Sequence, residues 1–92
     1  MRLLVTIDLS AADIAAFDRY ERQVLPLLAS YGGELEMRVR ALDRKSETHL
    51  LHFPDSAALA AFLADPTRQA LRPDWDACGA KAMMVEVEEL PA

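Results

Sequence analysis

The side chains best suited to acid–base chemistry are the two histidines, His49 and His52. A free imidazole has a pKa of about 6.5 and so can take up or release a proton near neutral pH. The two lie in a segment that alternates like a β-strand, where side chains three residues apart point to opposite faces, so one chain cannot use both for one metal ion. If Leu51 and Phe53 pack beneath helices, His52 faces the other side of the sheet. We predict His52 as the candidate general base or ligand anchor; the alternative is a hydrogen-bonded interface histidine.

Arginines form the second group able to do chemistry. In ELEMRVRAL, Arg38 and Arg40 alternate in phase with Glu36 and share its predicted strand face. A guanidinium can hold a carboxylate or an enolate through two parallel hydrogen bonds. The alternative is a ladder of charge pairs with Asp8 and Glu86 across a subunit interface, which is the more common role of such alternation.

Trp75 lies in a segment predicted to be irregular, after Pro73 and before the last strand. An indole there could stack on a planar ligand, or it could fill the edge of the core. Thr6, Arg38, His52 and Trp75 are the predicted ligand-binding residues.

Catalytic motifs with a defined spacing are missing. The chain has no glycine-rich phosphate loop, no nucleophile elbow and no paired-ligand metal motif. The sequence therefore predicts neither a metal site nor a cofactor.

Four strands must position these residues. Period-two alternation of apolar side chains predicts strands over residues 2–9, 34–42, 47–53 and 81–89. A polar hairpin loop over 43–46 joins the second strand to the third.

Helices follow the first and third strands. The first carries apolar residues at helical spacing, should bend at Pro26 and ends at the Gly32–Gly33 pair. On it, Tyr20 could border a pocket, and Glu21 is expected to be solvated or paired with an arginine. The second helix is AALAAFLA, followed by a short turn over 67–71 that Pro73 closes.

The order βαββαβ predicts one domain, residues 1–92, with a ferredoxin-like α+β fold: a four-stranded antiparallel sheet with two main helices on one face. The other face then lacks a cover, and closure by a second copy is predicted. The side chains predicted on this open face are Leu4, Leu50, Met84, Thr6, Arg38 and His52.

Composition narrows the partners. The net charge is −5 and the isoelectric point about 4.8, which argues against nucleic acid and against an anionic membrane. The one cysteine, Cys78, allows no intrachain disulfide and has only Lys81 as a nearby basic residue, so we interpret it as a packing residue in a cytoplasmic protein.

Two segments carry a resemblance, YERQVLPLLASYGGELEMRVRA at 20–41 and HFPDSAALAAFLADPTRQAL at 52–71. With the flanking strands, the chain resembles the dimeric α/β-barrel superfamily, in particular a branch of small bacterial proteins near the antibiotic-biosynthesis monooxygenase-like domains. The resemblance implies a homodimer with two facing sheets and pockets between sheet and helices or near the barrel mouth. Haem-degrading relatives use a pocket asparagine and a haem-ligating histidine; this chain contains no asparagine, and no histidine follows Trp75, so haem is not predicted.

Two functions are compatible with these observations. The first is a homodimer that binds a small hydrophobic or aromatic ligand without turning it over. The second is a cofactor-independent monooxygenase or isomerase in which His52 and an arginine handle an enolate or phenolate. Conversion of the bound molecule would distinguish them.

Overall fold

Four strands form one antiparallel sheet in the computed structural model, which covers residues 1–92. They are β1 (Arg2–Asp8), β2 (Glu34–Arg40), β3 (Ser46–His52) and β4 (Lys81–Val87), in the order β2-β3-β1-β4. Both central strands pair antiparallel with their neighbours. The predicted ferredoxin-like α+β fold is confirmed, and each strand ends one or two residues before its predicted limit.

The first connection is a helix in two parts. Helix α1 (Ile14–Val24) begins after Asp13, whose carboxylate accepts a hydrogen bond from the backbone N–H of Ala16 at 3.0 Å. Because Pro26 has no N–H to donate, the chain continues as a 3-10 helix (Leu25–Tyr31). The change of helix type occurs where the sequence predicts a bend.

The second connection consists of three short helices, α2 (Ser56–Leu63), α3 (Pro66–Ala70) and α4 (Arg72–Cys78). Pro73 lies in the first turn of α4, where a missing N–H costs nothing because those groups have no partner within the helix. The prediction that Pro73 closes a helix is therefore wrong, and Trp75 lies on a helix rather than in an irregular segment.

Gly79 allows the chain to leave α4 and enter β4. Its φ is +83°, and a Cβ at this position would lie 2.8 Å from the carbonyl oxygen of Ala11. The backbone N–H of Asp13 donates to the carbonyl of Cys78 at 2.8 Å on the same side. The end of α4 is therefore held against the start of α1, and this close approach requires glycine at position 79.

The core lies between the sheet and the helices and contains thirteen buried residues. They come from β1, β3, the first helix and the second connection: Leu3, Val5, Ile7, Leu9, Phe17, Tyr20, Val24, Leu28, Leu51, Phe53, Phe62, Cys78 and Ala80.

A β-bulge in β2 changes which side of the sheet its side chains face. The pairing with β3 shifts between Leu35 and Met37, so that Glu36 is an extra residue. Because side chains alternate along a strand, one extra residue moves all later ones to the opposite face. Arg38 is thus opposite His49 on the helix side, and its predicted position on the open face is wrong.

The open face is more apolar than predicted. Met84 is opposite the buried Val5 and so lies on the helix side, which contradicts the prediction, whereas Thr6 and His52 are on the open face as predicted. Two rows of paired residues cross the open face, Met37–Leu50–Leu4–Val85 and Val39–Thr48–Thr6–Met83. The first row is wholly apolar.

Candidate functional site

A cavity of about 130 Å³ lies between the helices and the sheet. Ten of its fifteen lining residues are hydrophobic, and the other five have side chains that can form hydrogen bonds: Glu21, His49, Arg68, Gln69 and Arg72. Apolar walls with few polar groups are typical of small-molecule sites. This cavity is the candidate site.

Glu21 is the most unusual residue of the cavity. It is only 6% exposed, yet its carboxyl group forms no hydrogen bond or ion pair. Burial raises its pKa to about 7; Arg38 and Arg68 act in the opposite direction, and the negative charges of Glu47 and Asp18 add to the rise. The expectation that Glu21 is solvated or paired with an arginine is wrong. A carboxyl group that changes charge near neutral pH is suited to proton transfer.

Arg68, on α3, provides an unpaired donor in the same cavity. Its Nε is buried without a hydrogen-bond partner. One of its terminal nitrogens donates to the carbonyl of Leu63 at 3.2 Å, and its guanidinium carbon lies 5.3 Å from the centre of the Phe62 ring. Two contacts thus hold the side chain at the cavity wall, and its buried Nε–H has no partner within the protein.

Asp65 fixes α3, and with it Arg68. Its carboxylate caps this helix by accepting the backbone N–H of Arg68 at 3.0 Å and also accepts the hydroxyl of Tyr31 at 2.5 Å. These hydrogen bonds hold the pKa of Asp65 below its ordinary value, with the Tyr31 bond contributing most. The end of the first connection is therefore tied directly to the helix that carries the free donor.

An aromatic pair forms another wall of the cavity. The rings of Tyr20 and Trp75 have their centres 5.2 Å apart, and Phe17 packs on Trp75 at 6.2 Å. Burial raises the pKa of Tyr20, so its hydroxyl stays protonated. Tyr20 borders a pocket as predicted, and the role of Trp75 in stacking on a ligand stays a prediction.

A buried ion network adjoins the cavity, with Glu47 at its centre. This side chain is 1% exposed and accepts hydrogen bonds from Arg38 Nε at 2.9 Å and Arg40 Nε at 2.8 Å. His49 Nε2 donates to the same carboxylate at 2.5 Å. Arg40 also binds Asp18 on α1 at 2.6 Å, which joins the sheet to the helix.

The network sets the charge states beside the cavity. Burial by itself would raise the pKa of Glu47, but the hydrogen bonds from His49, Arg38 and Arg40 together hold it below its ordinary value. Burial lowers the pKa of His49, although its bond to Glu47 acts in the opposite direction. Glu47 is therefore ionised and His49 neutral at neutral pH, and the carboxylates of Glu47 and Asp18 together balance the charges of the two arginines before any ligand enters.

The four residues predicted to bind a ligand do not come together. Thr6 and His52 lie on the open face, Arg38 in the ion network beneath the helices, and Trp75 on the cavity wall. The polar residues that do converge on the cavity, Glu21 and His49 among them, were not selected from the sequence. The chain has no cluster of three or more histidine, cysteine, aspartate or glutamate side chains placed to hold a metal ion. No helix has the length and apolar character required to cross a bilayer.

Fold and cavity together define a class: ferredoxin-like α+β proteins with a pocket between the sheet and the helices. Within that class, the chain belongs to the family described as domain of unknown function DUF1330, whose model matches residues 4–90. A comparison with curated proteins finds no match.

Solved structures with the same fold come from several bacteria. SnoaB, a cofactor-independent oxygenase from Streptomyces nogalater, is similar with a TM-score of 0.73 and 14% identity, covering 97% of this chain and 93% of that one. A NIPSNAP domain protein from Burkholderia xenovorans gives a TM-score of 0.69 and 15% identity, covering 100% and 99%. A dimeric ferredoxin-like protein of unknown function from Jannaschia sp. CCS1 gives 0.63 and 24% identity, covering 95% and 100%. Identities this low show the shared fold alone.

Proposed function

We propose that this protein is a homodimer that binds a small hydrophobic or aromatic molecule in the cavity beneath its helices, without turning it over. One observation carries the proposal: the apolar cavity is lined by Glu21, a buried residue whose carboxyl group has no partner in the protein, and by Arg68, whose Nε is also unpaired. Buried polar groups without partners are costly, since each loses its hydrogen bonds to water. A ligand that bonds to both removes this cost.

The volume of the cavity limits the size of the ligand. An engineered apolar cavity of about 150 Å³ takes up benzene. The cavity here, at about 130 Å³, is of similar size and fits one six-membered ring with one or two small substituents. Fused-ring compounds do not fit without movement of the walls.

Thermal unfolding with small rings tests ligand binding. At a nitrobenzene or toluene concentration one hundred times the dissociation constant, we expect ~2.7 kcal/mol of stabilisation and a melting temperature raised by roughly 10 °C. Replacing Ala82, an exposed residue on the cavity rim, by phenylalanine should cover the opening and abolish the shift. The matched change Ala60→Phe, on α2 outside the cavity, should leave it intact. If no single-ring compound raises the melting temperature of the unmodified chain, the proposal is wrong.

The homodimer is supported by the open face of the sheet. Met37, Val39, Met83 and Val85 are each 42–63% exposed there, and they flank the half-buried Leu50 and other central residues. A sheet face of this character normally packs against another element. The similar protein from Jannaschia is described as dimeric, which supports a second copy as the cover.

A charge at the centre of this face should prevent dimer formation. We expect Leu50→Asp to elute as a monomer of about 10.2 kDa, and the unmodified chain at about twice that mass, by light scattering on a sizing column. Leu42→Asp, in the fully exposed hairpin loop, is the control and should stay dimeric. Val85→Asp, on the edge strand, repeats the test where a folding defect is less of a concern. If Leu50→Asp and Val85→Asp both keep the circular dichroism spectrum of the unmodified chain and both remain dimeric, the proposed interface is wrong.

Turnover is the alternative, as a cofactor-independent monooxygenase or isomerase on a small aromatic or enolisable substrate. Glu21 favours it, because a carboxyl with a pKa of about 7 can act as a general base at neutral pH. Recovery of the ligand from the complex distinguishes the two: a binding protein returns it unchanged, and an enzyme returns a product. We place the protein in the cytoplasm, which is supported by its single cysteine being a buried free thiol.

A further inference from the structure

We propose that the ligand is a ring-sized weak acid, a phenol or a cyclic enol, and that Glu21 accepts its hydroxyl proton while the guanidinium of Arg68, which lines the same cavity, donates to the oxygen left behind. This inference rests on the proposed ligand-binding function and specifies the chemical class of the ligand.

The two unpaired groups of the cavity are complementary in their hydrogen bonding. An ionised carboxylate only accepts, and a guanidinium N–H only donates. A ligand that satisfies both must present a donor to Glu21 and an acceptor to Arg68. One hydroxyl oxygen can do both, and a single ring carrying one matches the volume of about 130 Å³.

The proton transfer balances without another reactant. The O–H bond of the ligand breaks, an O–H bond forms on Glu21, and the electron pair stays on the ligand oxygen as an oxyanion. The positive charge of Arg68 then lies beside that oxyanion instead of having no partner at Nε. When Glu21 is ionised before the ligand enters, no proton is exchanged with solvent; below its pKa of about 7 Glu21 is already protonated, and formation of the oxyanion then releases one proton to solvent. Nothing is oxidised or reduced.

Other ligand classes fit these charges less well. A carboxylic acid enters ionised and brings only acceptors, so it can bond to Glu21 only in those molecules in which Glu21 is protonated. An amine cation would bring a second positive charge near Arg68. Several charged or titratable groups face Glu21 or the cavity, from its own helix, the sheet, α3 and α4: Asp18, Tyr20, Arg38, Glu47, His49, Arg68 and Arg72. Glu47 and His49 bond to each other, and Arg38 bonds to Glu47, so of this set only Arg68 has a donor left unpaired and buried.

Basicity supports the same class. An ordinary glutamate is a much weaker base than a phenolate or an enolate and would leave the proton on the ligand. Burial raises the pKa of Glu21 to about 7, which brings its basicity close to that of acidic phenols and enols.

The probe for the test is 4-nitrophenol, because its phenolate is yellow and its neutral form is not. Nitrobenzene has the same ring and nitro group without the hydroxyl. At neutral pH, where Glu21 is partly ionised and part of the free nitrophenol is still protonated, we expect the protein to bind nitrophenol at least tenfold more tightly than nitrobenzene. The bound ring should show the phenolate colour.

Two matched variants locate the proton acceptor. Glu21→Gln keeps the size and polarity of the side chain but cannot take a proton from a phenol, so we expect loss of the tenfold preference and of the colour, with nitrobenzene binding retained. Glu88→Gln removes an exposed carboxylate outside the cavity and should behave like the unmodified protein.

Each outcome decides between the two proposals. If nitrobenzene binds and nitrophenol binds no better, or if Glu21→Gln keeps both preference and colour, this inference is wrong while ligand binding stands. Tighter binding of benzoate than of nitrophenol, with uptake of one proton from buffer, would also overturn it. If neither ring binds to the unmodified protein, the proposed function fails as well.

Discussion

Replacing Glu21 by glutamine should make the ligand-free protein more stable relative to the unmodified chain, and this gain should be larger in alkaline than in acidic solution. Between about pH 5 and about pH 8, the free energy of unfolding of Glu21→Gln is expected to rise by ~2.5 kcal/mol relative to that of the unmodified chain. Urea unfolding at both pH values measures this difference.

The sign follows from the pKa of Glu21 in the two states. In the unfolded chain it has its ordinary value of 4.5, and in the folded protein burial raises it to about 7. Below 4.5 the carboxyl is protonated in both states and costs nothing. As the pH rises from 4.5 to 7, the unfolded state releases the proton while the folded state holds it, so the unmodified protein loses stability. Above 7 the full loss is present, and glutamine does not incur it.

The comparison isolates Glu21 from other titrating groups. His49, whose pKa is lowered by burial, changes stability in the opposite sense over part of this range, but it is present in both proteins and cancels in the difference. Glu88→Gln is the control and should show no pH-dependent difference from the unmodified chain. A constant difference between Glu21→Gln and the unmodified protein across this range would mean that Glu21 is not held in an unfavourable charge state.

Stability and function are coupled at this residue. A carboxyl that is buried without a partner destabilises the empty protein, and the same lack of a partner makes it available to a ligand. Active sites commonly retain such costs, and a substitution that removes them raises stability while it removes function. Glu21→Gln should therefore give a more stable protein in alkali that no longer distinguishes a phenol from a plain ring.

The sequence contained a signal for Glu21. It lies four residues after Phe17 and three before Val24, so helical periodicity places it within the buried stripe of α1. A glutamate at such a position is either paired or functional. The interpretation as a solvated or arginine-paired charge follows residue type instead of helical position.

Strand parity contained a second signal. Leu51 was expected beneath the helices, and in a strand residues two and four positions earlier share its face. Those residues are His49 and Glu47, which the structure buries. The choice of His52 as the accessible histidine leaves out His49 and Glu47, the bonded pair that lies next to the cavity.

The position of Arg38 could not be predicted from the alternation in β2. Alternation shows which side chains share a face, but the bulge at Glu36 decides which face that is. The expectation that the arginines face away from the helices was reasonable for a regular strand. Their partners Glu47 and Asp18 lie on the helix side, and only the three-dimensional pairing reveals this. Likewise, the volume of the cavity and the free Nε of Arg68 depend on how α3 and α4 pack.

The largest loss of stability is expected from Glu47→Gln. Glu47 is 1% exposed and accepts from Arg38, Arg40 and His49. Removing one partner of a buried ion pair typically costs ~3–5 kcal/mol because the remaining charges stay buried without full compensation. Arg40 keeps Asp18 as a partner, whereas Arg38 approaches that carboxylate only at 3.7 Å. We therefore expect a value in the lower half of this range, measured by urea unfolding at neutral pH.

The dependence on pH separates loss of this charge from a packing defect. The folded-state pKa of Glu47 is lower than its ordinary 4.5, so its carboxylate contributes stability above about pH 4.5 and loses that contribution as the pH falls through the folded value. The difference between the unmodified protein and Glu47→Gln should therefore shrink in acid. Glu34→Gln, an exposed glutamate of β2 outside the network, serves as the control and should change stability by less than about 0.5 kcal/mol. A difference that persists unchanged in acid would assign the effect to packing.

The same substitution also tests why β2 is bulged. Arg38 and Arg40 reach Glu47 only because the extra residue at Glu36 turns them toward the helices, and the bulge in turn places Met37 and Val39 on the open face. The ion network and the apolar surface for the second copy therefore depend on one register. If Glu47→Gln weakens the helix-side pairing, we expect the dimer to weaken as well, although Glu47 lies on the opposite side of the sheet from the proposed interface. Light scattering over a dilution series gives the dissociation constant of the dimer and so measures this coupling. If Glu47→Gln lowers the stability of the protein but leaves this dissociation constant unchanged, the apolar rows keep the register of β2 without the arginines.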